Sequence, residues 1–95
     1  MTLARELARY IRAVNYADIP DSARHAAARS LLNWAGCAVG GSQHAAVESA
    51  LAALLPFSAG NQCTLIGRRE RIDAMHAALI NGMSAHVLDF DDTHL

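Results

Sequence analysis

The chain has no lysine: its eight basic residues are all arginine, set against nine acids, for a net charge of −1. That balance excludes the usual electrostatic footprint of a nucleic-acid binder, which is a net basic domain or a continuous basic stripe. The arginines fall in two groups, Arg5, Arg9, Arg12 and Arg68, Arg69, Arg71, with Arg24 and Arg29 between them. They read as solvated helix faces and a charged turn. Aromatics make up only 5% of the residues, so few large side chains are available to fill a core. Trp34 is expected to be a core anchor. No run of eighteen apolar residues occurs, which excludes a helical membrane span. Arg5 and Glu6 interrupt the N-terminus, unlike the apolar centre of a signal peptide, and a cytoplasmic location is expected. The only cysteines, Cys37 and Cys63, lie in apolar surroundings and outside any Cys-x-x-Cys or Cys/His ligand spacing. Buried reduced thiols are expected, with a disulfide or a reactive thiol as the alternative.

The hydrophobic fraction is 53%, and much of it is alanine. Alanine favours helix but buries little area. Ninety-five residues allow one small domain at most. A thin alanine core suits helices packed closely on other helices. Several apolar faces are therefore expected to be meant for further chain.

Periodicity predicts four helices. The first spans 2–15, capped by Thr2, with Leu3, Leu7, Tyr10, Ile11 and Val14 on one stripe. The second spans 20–39 and stops at Gly40-Gly41; its half from Leu31 to Val39 is apolar nearly all round and is expected to be buried on most sides. Gly36 within it suggests close approach by a neighbouring helix. The third spans 44–55, with Ser42 as cap, an apolar face of Val47, Ala50, Leu51 and Leu54, and Pro56 as its end. A short β-prone run at 63–66 and a charged turn, Gly67-Arg68-Arg69-Glu70, lead to a fourth helix over 73–88. Asp73 caps that helix, and Met75, Ala78, Leu79, Gly82, Ala85 and Leu88 recur along it at helical spacing. His25, His44 and His76 read as surface or structural histidines. The fold class is all-α, with one short extended connector.

Polar chemistry concentrates at the end of the chain. Asp89, Asp91, Asp92, Thr93 and His94 follow an apolar helix in which Asn81 and His86 are the polar exceptions. If the helix continues, His86, Asp89 and Thr93 share one face at spacings of three and four. Three carboxylates so close repel one another and need water, cations or donors. Oxygen ligands at alternating positions suit calcium or magnesium. However, the calcium-loop spacing, with its glycine and distal glutamate, is absent. The other reading is an organic-acid site in which Asp89 moves a proton and Thr93 sits one turn away. His86 alone is more often a structural histidine that orients a carboxylate.

The run Ala77-Ala78-Leu79-Ile80-Asn81-Gly82, followed by His86-Val87-Leu88-Asp89-Phe90-Asp91-Asp92-Thr93-His94, resembles the signature of the MmgE/PrpD family. That family includes 2-methylcitrate dehydratases and cis-aconitate decarboxylases. The resemblance implies the N-terminal portion of a large helical domain over residues 1–95, in a longer protein whose α/β lid lies further on. It places the active-site aspartate on Asp89 and the active-site threonine on Thr93, with His86, Asp91 and Asp92 binding substrate or supporting. It implies a lyase for a small polycarboxylate that needs no cofactor and no metal, built as a homodimer, with further catalytic histidine and lysine residues after Leu95. Dehydration is the expected reaction. Decarboxylation or isomerisation of a related acid is the alternative, and a non-catalytic helical interaction module is the rival from another class.

Overall fold

Thr2 opens the first helix as expected: its hydroxyl accepts the Arg5 backbone N–H at 3.3 Å. The computed structural model describes residues 2–90. Its elements are α1 (Leu3–Ala13), α2 (Asp21–Gly41), α3 (Ala45–Leu54), β1 (Cys63–Thr64), β2 (Arg71–Ile72) and α4 (Ala74–His86). Single 3-10 turns lie at Tyr16–Asp18 and Leu55–Phe57. Arg24 fastens the first of these to α2. Its guanidinium donates to the Tyr16 carbonyl at 2.9 Å, stacks 4.7 Å from the Tyr16 ring centre and pairs with Asp21.

The core is small and sits where α3, the hairpin and α4 meet. Val47, Leu51, Leu65, Ile72, Ala77 and Ile80 form it, flanked by Ala50, Leu54, Cys63, Met83 and Val87. The apolar face expected for α3 is therefore the one it buries. On α4 the buried residues are Ala77, Ile80 and Ser84, while Met75 is 79% and Leu79 51% exposed. The stripe expected from spacing faces away from this core. A helix apolar nearly all round offers no periodic signal to choose its face; here α3 and the hairpin make the choice.

The extended run pairs locally. β1 and β2 are antiparallel, with Cys63 opposite Ile72 and Thr64 opposite Arg71. The turn between them needs Gly67, which has φ +77° and whose missing Cβ leaves room for the Ser42 side chain. Asn81 brackets this hairpin to α4: its Oδ1 accepts the Ile66 N–H at 2.9 Å and its Nδ2 donates to the Thr64 carbonyl at 3.1 Å.

Helix α2 passes through Gly40 and Gly41, which the sequence marks as a stop, and ends with Ser42 as its C-cap. The reason is packing against α4. A Cβ on Gly41 would overlap the Ser84 carbonyl oxygen and lie 2.7 Å from Val87 Cγ1. At Gly36, where close approach was expected, nothing lies within 4 Å. Ser42 does not cap α3: its hydroxyl donates to the Val39 carbonyl at 2.7 Å. His44 caps α3 instead, with Nδ1 accepting the Ala46 N–H at 3.1 Å.

Much apolar surface has no cover from the described residues. Helix α1 buries no residue; Leu3, Tyr10 and Ile11 are all exposed. The half of α2 expected to be buried exposes Leu31, Leu32 and Val39 and buries only Cys37 and Ala38. Trp34 is 40% exposed, so it is no core anchor in this chain. The radius of gyration is 16.8 Å, against about 12–13 Å for a compact chain of this length.

Candidate active site

Asp73 sets where α4 starts. One carboxylate oxygen accepts the His76 N–H at 3.1 Å; the other lies 2.6 Å from His76 Nδ1 and accepts the Ser58 hydroxyl at 2.8 Å. The His76 ring, its backbone N–H and Ser58 hold the Asp73 carboxyl well below the usual carboxylate range. From this anchored start α4 runs thirteen residues to His86. At its far end the Asp89 N–H donates to the His86 carbonyl at 2.8 Å.

Asp89 has φ 58°. A non-glycine residue in the left-handed region is uncommon, though aspartate tolerates it better than most. The helix therefore does not continue through the signature, and His86 and Asp89 do not share one helical face. The chain turns out of α4 at Asp89. The expected positions Asp91, Asp92 and Thr93 lie outside the described residues.

Between α2 and α4 lies a cleft of about 400 Å³, lined by Ser30, Asn33, Trp34, Cys37, Gly82, Ala85, His86 and Phe90. A second hollow of about 470 Å³ runs along α2 and is lined by Ala26, Arg29, Ser30 and Asn33. Ser30 and Asn33 belong to both. His86 thus stands on a cavity wall, while Asp89 is exposed just beyond it and does not line it. Cys37 is buried, with Sγ 4.0 Å from the Phe90 carbonyl, and both cysteines are free thiols. Among the described residues, no three His, Cys, Asp or Glu side chains come together as metal ligands would. No helix among them is long and apolar enough to cross a membrane.

Sequence reasoning missed the α2 wall of this cleft, because Ser30 and Asn33 are unremarkable until α4 faces them. It also missed Arg68. That side chain, 7% exposed, donates to Glu48 at 2.7 Å, to Glu70 at 2.8 Å and to the Ser42 carbonyl at 2.7 Å. The Glu48 and Glu70 carboxylates push the Arg68 pKa up, and Arg68 in turn lowers that of Glu70. A charge run in sequence gives no sign that the side chain of one member is largely covered while Arg69 beside it is exposed. Arg68 fixes the junction of α2 and α3 and does not line the cleft.

No curated protein and no solved structure matches the chain. A family model described as the MmgE/PrpD N-terminal domain matches residues 5–95, nearly the whole sequence. With that match, the chain belongs to the MmgE/PrpD family, as part of its N-terminal domain.

Proposed function

We propose that this chain belongs to a cofactor-independent lyase for a small polycarboxylic acid, most closely a hydro-lyase of the 2-methylcitrate dehydratase kind. The observation that carries this reading is the placement of Asp89. It leaves α4 in a left-handed conformation, one residue from the Phe90 wall of the cleft and three from His86. Backbone conformers of this type cost energy and cluster at functional sites. Family membership supports the reaction class.

Elimination of water from a hydroxy acid removes a proton from carbon next to a carboxylate and protonates the departing hydroxyl. Asp89 is the base or acid of choice, because its carboxylate is exposed where the chain turns beside the cleft. His86, on the wall, orients the substrate or the carboxylate. Thr93 is assigned the contact to the reacting water or hydroxyl. A polycarboxylate needs more donors for its negative charge than these residues offer, so the ninety-five residues alone are expected to be inactive. The complete enzyme is proposed to be a cytoplasmic homodimer.

The test is a lyase assay on the protein from the intact reading frame with 2-methylcitrate, citrate and cis-aconitate. Asn adopts the left-handed conformation about as readily as Asp, so Asp89→Asn removes the charge and keeps the backbone. A loss of about 100-fold or more in kcat is expected, in the range of a lost general acid or base. Unchanged turnover in Asp89→Asn would sink the assignment. Carbon dioxide release from cis-aconitate, without dehydration of 2-methylcitrate, would move the protein to the decarboxylase reading.

A further inference from the structure

Across the cleft from His86, the wall is polar at only a few points, and these are grouped. Ser30 and Asn33 lie on this wall, while Arg29, one helical turn from Asn33 on the same side of α2, lines the adjoining hollow and not the cleft itself. Ser30 and Asn33 line both the cleft and the hollow that adjoins it, so the two cavities share a wall along this turn. The apolar part of the cleft comes from Trp34, Cys37 and Phe90.

The donor set has a sign. Arg29 brings a planar guanidinium with five N–H groups, Asn33 an amide NH2 and Ser30 a hydroxyl. Among the described residues, neither cavity has an aspartate or glutamate in its lining. An arginine beside neutral donors suits a planar anion held by two parallel hydrogen bonds. The other arginine of this α2 stretch, Arg24, is instead committed to Tyr16 and Asp21. Cavities of about 400 and 470 Å³ match a small organic acid better than a polymer.

We propose that this turn of α2 is the carboxylate-binding wall of the site. Arg29 grips a substrate carboxylate, Asn33 and Ser30 orient it, and the reacting carbon faces the α4 side of the cleft, where His86 stands. Asp89 acts at the reacting atoms, whereas Arg29, Asn33 and Ser30 select a substrate with a carboxylate at the right reach. This inference rests on the polycarboxylate lyase reading and adds its specificity-determining residues.

The experiment compares wild type, Arg29→Ala, Arg29→Lys and Asn33→Ala in the full-length protein. It measures kcat and KM on the best substrate, and citrate affinity by calorimetry. Arg29 is exposed on a helix, and alanine is the better helix former, so Arg29→Ala is expected to fold. Circular dichroism checks this. Arg29→Ala should raise KM and weaken citrate binding about 10-fold or more, the scale of one charged hydrogen bond, with a smaller change in kcat. Arg29→Lys should recover only part of the loss, since lysine keeps the charge without the fork. Arg5→Ala, on the exposed α1, is the matched charge control and should leave KM unchanged. If Arg29→Ala binds citrate and turns over like wild type, the wall is overturned while the lyase reading stands. If folded wild type neither binds nor converts any of the polycarboxylates, the lyase reading fails and the wall fails with it.

Discussion

At the scale of single residues, the side chains that matter most answer to backbone groups. Asn81 satisfies the Ile66 N–H and the Thr64 carbonyl together. Asn81→Ala leaves the half-buried Ile66 N–H and the exposed Thr64 carbonyl without that partner and is expected to cost about 1 kcal/mol. Urea unfolding of the variant against wild type measures it. Asp89 separates stability from activity. Glycine pays no penalty at positive φ, so Asp89→Gly should leave the unfolding midpoint unchanged or slightly raised while removing lyase activity. A Gly variant that both folds and turns over normally would exclude Asp89 from the chemistry. Asp73 supplies a pH dependence. Its folded pKa lies below its ordinary value, so its contribution is fully present above about pH 4, the unfolded carboxylate range. That contribution is lost as pH falls toward the lower folded value. Glu70, lowered by Arg68, acts in the same direction. The urea midpoint should therefore fall with acid below about pH 4, and Asp73→Asn should flatten that fall.

At the scale of elements, the pairing of α2 with α4 decides the geometry of the cleft, and one missing methyl group permits it. Gly41→Ala places a carbon into the Ser84 carbonyl, which is backbone and cannot rotate away. The expected cost is about 3 kcal/mol, at the upper end of overpacking, because two helices must part. Turnover should fall with it, as His86 moves away from Ser30 and Asn33. Thermal unfolding and kcat/KM measured on one preparation would check both. The sequence announces Gly40-Gly41 but misstates its meaning. A glycine pair is the common end of a helix, and only the approach of α4 shows that here it serves packing. The face of α4 was misjudged for a related reason. Alanine-rich helices carry little periodic contrast, so the partner, and not the pattern, selects the buried side. By contrast, α3 has bulky Val47 and Leu51 against small neighbours, and its face was legible from spacing.

At the scale of the molecule, the described chain is elongated and leaves its long apolar helices uncovered. Its extents are 44 × 30 × 25 Å, and Leu3, Leu7, Ile11, Leu31 and Leu32 are each at least half exposed. Contiguous apolar surface on this scale marks an interaction site or an aggregation liability. The ninety-five-residue chain expressed alone should therefore bind a hydrophobic dye such as ANS and self-associate. The protein from the intact reading frame should bind no such dye and should associate no further than the proposed dimer. A monomeric chain without dye binding would show that α1 and α2 find their cover within it.

The sequence by itself determined the helical class, the caps at Thr2 and Asp73, the extended character of the 63–66 run and the family, through the motif from Ala77 to His94. These are decided by short-range chemistry: a hydroxyl or carboxylate beside free N–H groups, β-prone residues between turns, a dense polar motif after an apolar helix. Tertiary structure alone decided that the Arg68 side chain is covered, that α2 runs on to Gly41, that α4 ends at His86 and Asp89 turns the chain out of it, and that Ser30 and Asn33 face His86 across a cleft. Each of these depends on which surfaces meet. A chain so rich in alanine carries too little contrast in side-chain size and polarity to specify that from local pattern.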